Sequence, residues 1–265
     1  MIRWVRFGAL TVITAVVLVP LVAVVALALQ PRTGVGHGGL TLDSMRYVLA
    51  ETASLTWLRN SLVAAGLTTL AAVLVAAPAG YVLSRGRGKV VSGYSLLLFS
   101  IQSFPHVILV IPLFVMFASL GLIDSVTGLT LVYIAAALPV ACWMMAAYID
   151  SIPVSLEEAA WIDGCSVFGS FWRVVVRNSL PGLLSTAIFS FLIAWNDYLV
   201  ALVFLRSSDS MTLPIGLQSF FQQDTTNWGP VMSVAVIMLL PPVLVFAALN
   251  RYFSVGGIGG ALAGQ

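Results

Sequence analysis

Six stretches of the sequence are apolar for long enough to cross a lipid bilayer, and more polar segments separate them. A helix needs about 20 mainly apolar residues to span the hydrocarbon core. The predicted spans cover residues 7–29, 58–83, 94–120, 126–149, 183–205 and 231–252. Because a backbone in lipid must satisfy its own hydrogen bonds, these runs predict helices. The expected fold class is therefore all-α, a polytopic membrane protein with six transmembrane helices.

The first apolar run has two possible interpretations. Arg3 and Arg6 precede it, and the Ala-Leu-Ala of residues 26–28 resembles the cleavage site of a signal peptide. The run is longer than the roughly 7–15 apolar residues of a signal core. We therefore expect an uncleaved membrane helix and a single transmembrane domain over residues 1–265.

The composition agrees with a lipid environment, since 60% of the residues are hydrophobic and 8% are charged. Soluble domains average about 25% charged residues, so a soluble fold of this size is excluded. The net charge of +2 does not favour nucleic acid. Two cysteines and two histidines make a metal site improbable.

The Lys and Arg residues are divided unequally between the two predicted sides of the membrane. The larger group comprises Arg3, Arg6, Arg85, Arg87, Lys89, Arg173, Arg177 and Arg251, and the smaller group comprises Arg32, Arg46, Arg59 and Arg206. Positive charge concentrates in cytoplasmic loops. The larger group therefore predicts the cytoplasmic side, with both termini inside.

The segment between the fourth and fifth predicted spans is amphipathic and polar enough to lie outside the bilayer. Pro153 prevents the fourth span from continuing. Ser155 and Glu158 have the spacing of a capping box, which predicts a new helix. Gly164 suits a left-handed helix end, and Ser166 can cap a second helix. The residues alone leave two interpretations open, a helix resting on lipid head groups or a docking site for a soluble partner.

Glu158, Ala159 and Ala160, followed after three residues by Gly164, match the EAA loop of the permease subunits of ABC importers. The chain resembles this family over nearly its whole length, because the six spans and the position of the loop also fit. Arg177 departs from the pattern, since many members have proline there.

Further segments are similar to the maltose-type carbohydrate permeases within that family. Trp195-Asn196-Asp197-Tyr198 resembles their W-N-[DE]-aromatic element in the fifth span. Residues 212–217, 228–229 and 251–257 also resemble the corresponding family segments. The resemblance therefore implies a sugar importer in a bacterial or archaeal plasma membrane.

In this family the EAA loop inserts into a cleft of a cytoplasmic ATPase. The resemblance implies a coupling loop over residues 153–181 in this chain. The residues implied in ATPase coupling are Glu158, Ala159, Ala160, Asp163 and Gly164. For Glu158, a role in helix capping alone remains the alternative.

Polar residues inside predicted spans are candidates for lining the translocation path. An acid at the bilayer centre costs ~2.5–3.5 kcal/mol on insertion scales, so Asp197 is expected to face the bundle interior or a water-filled cavity. The candidates are Trp195, Asn196, Asp197 and Tyr198, together with Gln102 and His106 in the third span. The alternative for Asn196 and Asp197 is a buried polar pair that joins helices.

The outer loop over residues 207–228 contains polar and aromatic side chains suited to recognition. The resemblance implies that Gln218, Phe220, Phe221 and Gln222 contact an extracytoplasmic binding protein. An ordinary solvated loop is the alternative.

The resemblance implies a permease subunit that forms half of the translocation path of a sugar importer and is not itself an enzyme. Its implied partners are a second homologous permease, two ABC ATPase subunits and a sugar-binding protein. No GxxxxGK[ST] motif occurs in the sequence, so ATP and Mg²⁺ are expected on the ATPases. The alternatives are a permease for another small solute such as a polyamine, a stand-alone secondary transporter, and an intramembrane enzyme.

Overall fold

The computed structural model of the protein describes residues 2–31, 39–221 and 227–262. All regular structure in these residues is helical, which confirms the predicted all-α class. The α-helices are α1 (Ile2–Ala28), α2 (Asp43–Glu51), α3 (Ser54–Arg85), α4 (Lys89–Ser103), α5 (His106–Ser119), α6 (Val126–Asp150), α7 (Ser155–Ile162), α8 (Val167–Ser170), α9 (Val176–Asn178), α10 (Leu180–Asn196), α11 (Leu199–Phe204), α12 (Leu213–Gln218) and α13 (Trp228–Leu262). A π-helical turn, Phe171–Val175, connects α8 to α9.

Within the described residues, four helices are by themselves long and apolar enough to cross a membrane, namely α1, α3, α6 and α13. Their central parts coincide with the first, second, fourth and sixth predicted spans. The count rises to as many as six if each of two bent helix pairs is taken as one span. One pair is α4 with α5, and the other is residues 167–178 with α10. Six spans therefore remain a prediction.

The third predicted span, residues 94–120, is not one continuous helix. The axes of α4 and α5 differ by 100°, and the break lies at Phe104 and Pro105. A proline lacks the N–H that a helix needs and disfavours helical backbone in the residue before it. Phe104 accordingly has an extended backbone, with φ −77° and ψ 130°. A proline within this span was expected to be tolerated, and the structure shows that it accompanies a sharp bend, so the bounds of the third span stay a prediction.

The fifth predicted span, residues 183–205, is also interrupted. The helix α10 ends at Asn196, and Asp197 is extended with ψ 128°. The Asp197 carboxylate accepts a hydrogen bond of 3.1 Å from the N–H of Ala201 in the first turn of α11. The first N–H groups of a helix lack partners within that helix. The side chain at the break therefore satisfies one of the groups that the break exposes.

The centre of the bundle is the contact between α3 and α6. The face of α3 at this contact is made of small buried residues, including Ala72, Ala76 and Gly80. Small residues let helix backbones approach closely, which favours their association in lipid. Gly80 marks a particularly tight point, since a Cβ there would lie 2.6 Å from the Cβ of Met145 and 2.8 Å from the backbone nitrogen of Ala146.

The substitution Gly80→Ala is expected to destabilise the protein by about 1–3 kcal/mol, because the added methyl group overpacks the contact with α6. The control is Gly66→Ala in the same helix, where an added Cβ meets nothing within 4 Å. Thermal unfolding in detergent measures both variants against the wild type. Equal stability of the two variants would contradict the proposed packing.

Candidate functional site

The segment between α6 and α10 contains α7, α8, the π turn and α9, and it holds every residue implied in ATPase coupling. The predicted capping box at its start is wrong. Ser155 is the first helical residue, Val154 occupies the N-cap position, and no side chain caps the helix. The backbone of Val154 is already helical, with φ −59° and ψ −30°. The first turn closes on the carbonyl groups of Pro153 and Val154 instead.

The turn between α7 and α8 has the predicted geometry. Gly164 has φ +87°, which confirms the left-handed helix end. The hydroxyl of Ser166 accepts a 3.1 Å hydrogen bond from the N–H of Gly169, which confirms the predicted cap of the second helix. The indole N–H of Trp161 donates to the hydroxyl of Ser170 at 2.8 Å. The two short helices α7 and α8 are therefore joined by a side-chain hydrogen bond in addition to the turn that connects them.

The outer face of this segment carries the residues implied in ATPase coupling. Glu158, Ala159, Asp163 and Gly164 are exposed, and Ala160 is half-buried. Three large apolar side chains on the same segment are also exposed, namely Ile162, Phe168 and Trp172. Exposed apolar surface of this kind often marks an interaction site. The segment thus offers a partner an apolar surface with acidic groups beside it.

The inner face of α7 carries Glu157, a residue that sequence reasoning missed. Its side chain is only 1% exposed and forms an ion pair of 2.8 Å with the Nε of Arg85. The hydroxyl of Tyr81 donates to the other carboxylate oxygen at 2.7 Å. Removing one partner of a buried ion pair costs about 3–5 kcal/mol. The signal in the sequence was the Glu157-Glu158 pair, because neighbouring residues point ~100° apart on a helix.

Arg85, the last residue of α3, connects α7 to the ends of two long helices. Its Nη2 donates to the carbonyl of Ile152 at 2.8 Å, and its Nη1 donates to the hydroxyl of Ser84 at 3.2 Å. The Ser84 hydroxyl in turn donates to the Asp150 carboxylate at 2.5 Å. One continuous network therefore joins α7, the end of α3 and the end of α6.

Trp195, a candidate for the translocation path, is buried against α13. Its side chain is 2% exposed and stacks on Phe191 with 5.5 Å between the ring centroids. The indole N–H donates to the carbonyl of Met238 at 3.2 Å. In a regular helix the residue four positions later would bond that carbonyl, but here it is Pro242, which has no N–H. Trp195 supplies the missing donor from another helix.

Asp197 connects the break in the fifth predicted span to α6. Its carboxylate accepts a 2.9 Å hydrogen bond from the hydroxyl of Tyr133, which is itself buried. This geometry favours the alternative interpretation for Asp197, a polar contact that joins helices. Asn196 is exposed, and Tyr198 is partly exposed and donates a hydrogen bond to Gln218 of α12.

The remaining path candidates, Gln102 and His106, lie on either side of the bend between α4 and α5. Gln102 is exposed near the end of α4. His106 begins α5, and its side chain lies outside the described part of the structure. A position on the path remains a prediction for both residues.

The candidates for contact with a binding protein differ in how far they are accessible. Gln218 accepts the hydrogen bond from Tyr198, and Phe220 packs edge-on against Trp57 with centroids 6.1 Å apart. Phe221 is half exposed, and Gln222 lies outside the described residues. Gln218 and Phe221 are both exposed although each makes a contact within the chain, Phe221 edge-on with Trp228, whereas Phe220 is partly buried.

A hydrogen-bonded turn holds the chain that leads into α12. The Asp124 carboxylate accepts hydrogen bonds from the hydroxyl of Ser210 and from the backbone N–H groups of Arg206 and Ser207, at 2.8 and 3.0 Å for the latter two. Burial alone would raise the pKa of Asp124, but these hydrogen bonds outweigh that effect and hold the pKa below its usual range. The carboxylate is therefore ionised at neutral pH.

Comparisons with known proteins bear on the whole chain. A family described as "Binding-protein-dependent transport system inner membrane component" matches residues 72–255. The chain is 38% identical to the putative ABC transporter permease protein ORF1 of Streptomyces antibioticus, over 84% of this chain and 97% of that protein. It is 32% identical to the trehalose transport system permease protein SugB of Mycobacterium tuberculosis, over 96% and 95% of the two chains.

A solved structure shares the fold. The crystal structure of a bacterial ABC transporter involved in the import of the acidic polysaccharide alginate contains a chain that superposes with a TM-score of 0.77. The identity is 20%, and the match covers 94% of this chain and 95% of that chain.

The substitution Trp195→Phe is expected to cost about 1–3 kcal/mol, because it keeps an aromatic ring but leaves the Met238 carbonyl without a donor. Pro242→Ala restores the N–H that a regular helix supplies. The double variant Trp195→Phe/Pro242→Ala should therefore be destabilised less than the sum of its parts. Thermal unfolding of the four proteins tests this coupling, and strictly additive losses would refute it.

Proposed function

Because the chain belongs to the family of binding-protein-dependent transport system inner membrane components, we propose that it is the permease subunit of an ATP-driven sugar importer. The members of this family are permease subunits, so the chain is not itself an enzyme. Two features support sugar as the cargo. The trehalose permease aligns with nearly the whole chain, and residues 195–198 resemble an element of carbohydrate permeases.

The observation that carries this proposal is that α7 and α8 expose one face, while Glu157 on the inner face of α7 is bonded to the end of α3. A short rigid helix transmits displacement from a partner that grips it. Ala159 and Ala160 allow that partner to approach closely, and Glu158 offers a carboxylate to an arginine or to a helix N-terminus. Gly164 permits the sharp turn that exposes both short helices.

The proposal gives the molecule an orientation and a set of partners. The end of the bundle that carries α7 faces the cytoplasm, as do both termini, in a bacterial or archaeal plasma membrane. A second homologous permease completes the translocation path, and two ABC ATPase subunits bind ATP and Mg²⁺. An extracytoplasmic binding protein delivers the sugar. ATP-driven movement then shifts the population between outward-open and inward-open states.

Within this proposal, the interrupted fifth span contributes to the path through its exposed residues. Asn196 and Tyr198 lie at the break and are accessible, so they are the residues of the motif that can meet a solute. Trp195 and Asp197 hold the break in place through α13 and α6. This division of roles assigns sugar contact and helix anchoring to different residues of one motif.

The direct test is ATP hydrolysis by the complex reconstituted in liposomes with its ATPase and binding protein. A panel of monosaccharides and disaccharides is compared with a polyamine such as spermidine. We expect at least one sugar to stimulate hydrolysis and to accumulate inside the liposomes. Stimulation by the polyamine alone, or solute transport by the chain without ATPase, would refute the proposal.

The substitution Gly164→Leu is expected to uncouple the importer. A side chain in left-handed backbone costs roughly 1–2 kcal/mol, and it changes the turn on which α7 is presented. Because α7 is then no longer presented to its partner in the same position, stimulated hydrolysis should fall by about tenfold, within the usual range of coupling between two sites. The control is Gly93→Leu on α4, where an added Cβ meets nothing within 4 Å. Wild-type stimulation in the Gly164→Leu complex would contradict this role.

A further inference from the structure

We propose that the ion pair between Arg85 and Glu157 is the joint through which movement of α7 reaches the membrane-spanning helices. The inference rests on the proposed function and makes Arg85, Glu157 and Tyr81 positioning residues for energy coupling. The segment between α6 and α10 is called the coupling segment. Its exposed residues meet the partner, whereas these three residues link it to the bundle.

The first observation is the burial of Glu157 beside exposed neighbours. Leu156 and Glu158 are exposed, but Glu157 is almost fully enclosed. Both carboxylate oxygens are occupied, one by Arg85 and the other by Tyr81. A charge pair shielded from water is stronger than one on the surface. A displacement of α7 relative to α3 would break both contacts, so we expect the two helices to move together.

The second observation is that both partners of Glu157 belong to one helix. Tyr81 and Arg85 are four residues apart on α3, so they share a face of that helix. The Tyr81 ring also contacts the ring of Phe171 in the π turn, with centroids 5.1 Å apart. The end of α3 therefore contacts α7 and the segment that follows α8. A movement of the coupling segment as a unit has to move α3.

The third observation is that, among the described residues, the side-chain hydrogen bonds that join α7 to the long helices all end on Glu157. Among the described residues, the other side-chain hydrogen bond of α7 runs from Trp161 to Ser170, within the coupling segment itself. The covalent connection to α6 passes through residues 151–154, and Arg85 bonds that connection at the carbonyl of Ile152. The ion pair thus holds the inner face of α7, and the bond from Arg85 to Ile152 holds the connection that leads into α7.

The decisive experiment separates stability from coupling. Glu157→Gln and Arg85→Met each leave one buried group without its charged partner, so both should lower thermal stability. The double variant Arg85→Met/Glu157→Met replaces both with apolar side chains, which is often neutral for stability. Lys89→Met is the matched control, because it removes an exposed positive charge four residues beyond Arg85.

Each complex is reconstituted with ATPase and binding protein, and thermal stability, ATPase retention and sugar-stimulated hydrolysis are measured. We expect the double variant to recover stability and retain the ATPase, while stimulated hydrolysis and transport remain about tenfold below wild type. The Lys89→Met complex should match the wild type. Wild-type stimulation in the double variant would show that the pair serves folding alone and would overturn the proposal.

Conservative variants keep the test decisive if the double variant fails to assemble. Glu157→Asp retains the negative charge but shortens the side chain, which withdraws the carboxylate from Arg85. Arg85→Lys retains the positive charge but loses the forked geometry of the guanidinium. Each should assemble with its ATPase and show reduced stimulation, and wild-type stimulation in both would overturn the proposal. If the wild-type complex responds to no sugar, the proposed function fails instead, so the two failures are distinguishable.

Discussion

A lipid bilayer offers the polypeptide backbone no hydrogen-bonding partner, and the breaks in this bundle are arranged around that constraint. Where Pro242 removes a donor, the Trp195 indole replaces it from a neighbouring helix. Where the fifth predicted span is interrupted, the Asp197 carboxylate takes up an N–H of the helix that follows. Polar side chains in the membrane therefore allow helices to bend and stop without leaving the backbone unsatisfied.

The same constraint changes how the segment Trp195-Asn196-Asp197-Tyr198 in the fifth predicted span is understood. A carboxylate and an indole within an apolar helix suggest contact with a polar solute. In the structure, Asp197 and Trp195 each connect α10 or its break to another long helix. A motif that fixes the geometry of a break is useful for any sugar, because it does not depend on the identity of the cargo.

Much of the fold could be predicted from the sequence because hydrophobic length is a property of local residues. Four long helices, the left-handed turn at Gly164 and the cap at Ser166 all follow from local patterns. The break at Pro105 and the role of Glu157 could not be predicted in the same way. A proline marks where a helix can break, but it does not fix the 100° angle between α4 and α5. The role of Glu157 depends on Tyr81 and Arg85, which lie more than 70 positions away in the sequence.

Glu157 and Glu158 point ~100° apart on α7, so the rotation of α7 about its own axis decides which side chain meets Arg85. One residue added within the first turn of α7, with the start of the helix held in place, would turn the residues after it by ~100°. A different side chain would then face Arg85, and Glu157 would leave its buried position. The first turn of α7 therefore tolerates a change of residue more readily than a change of length.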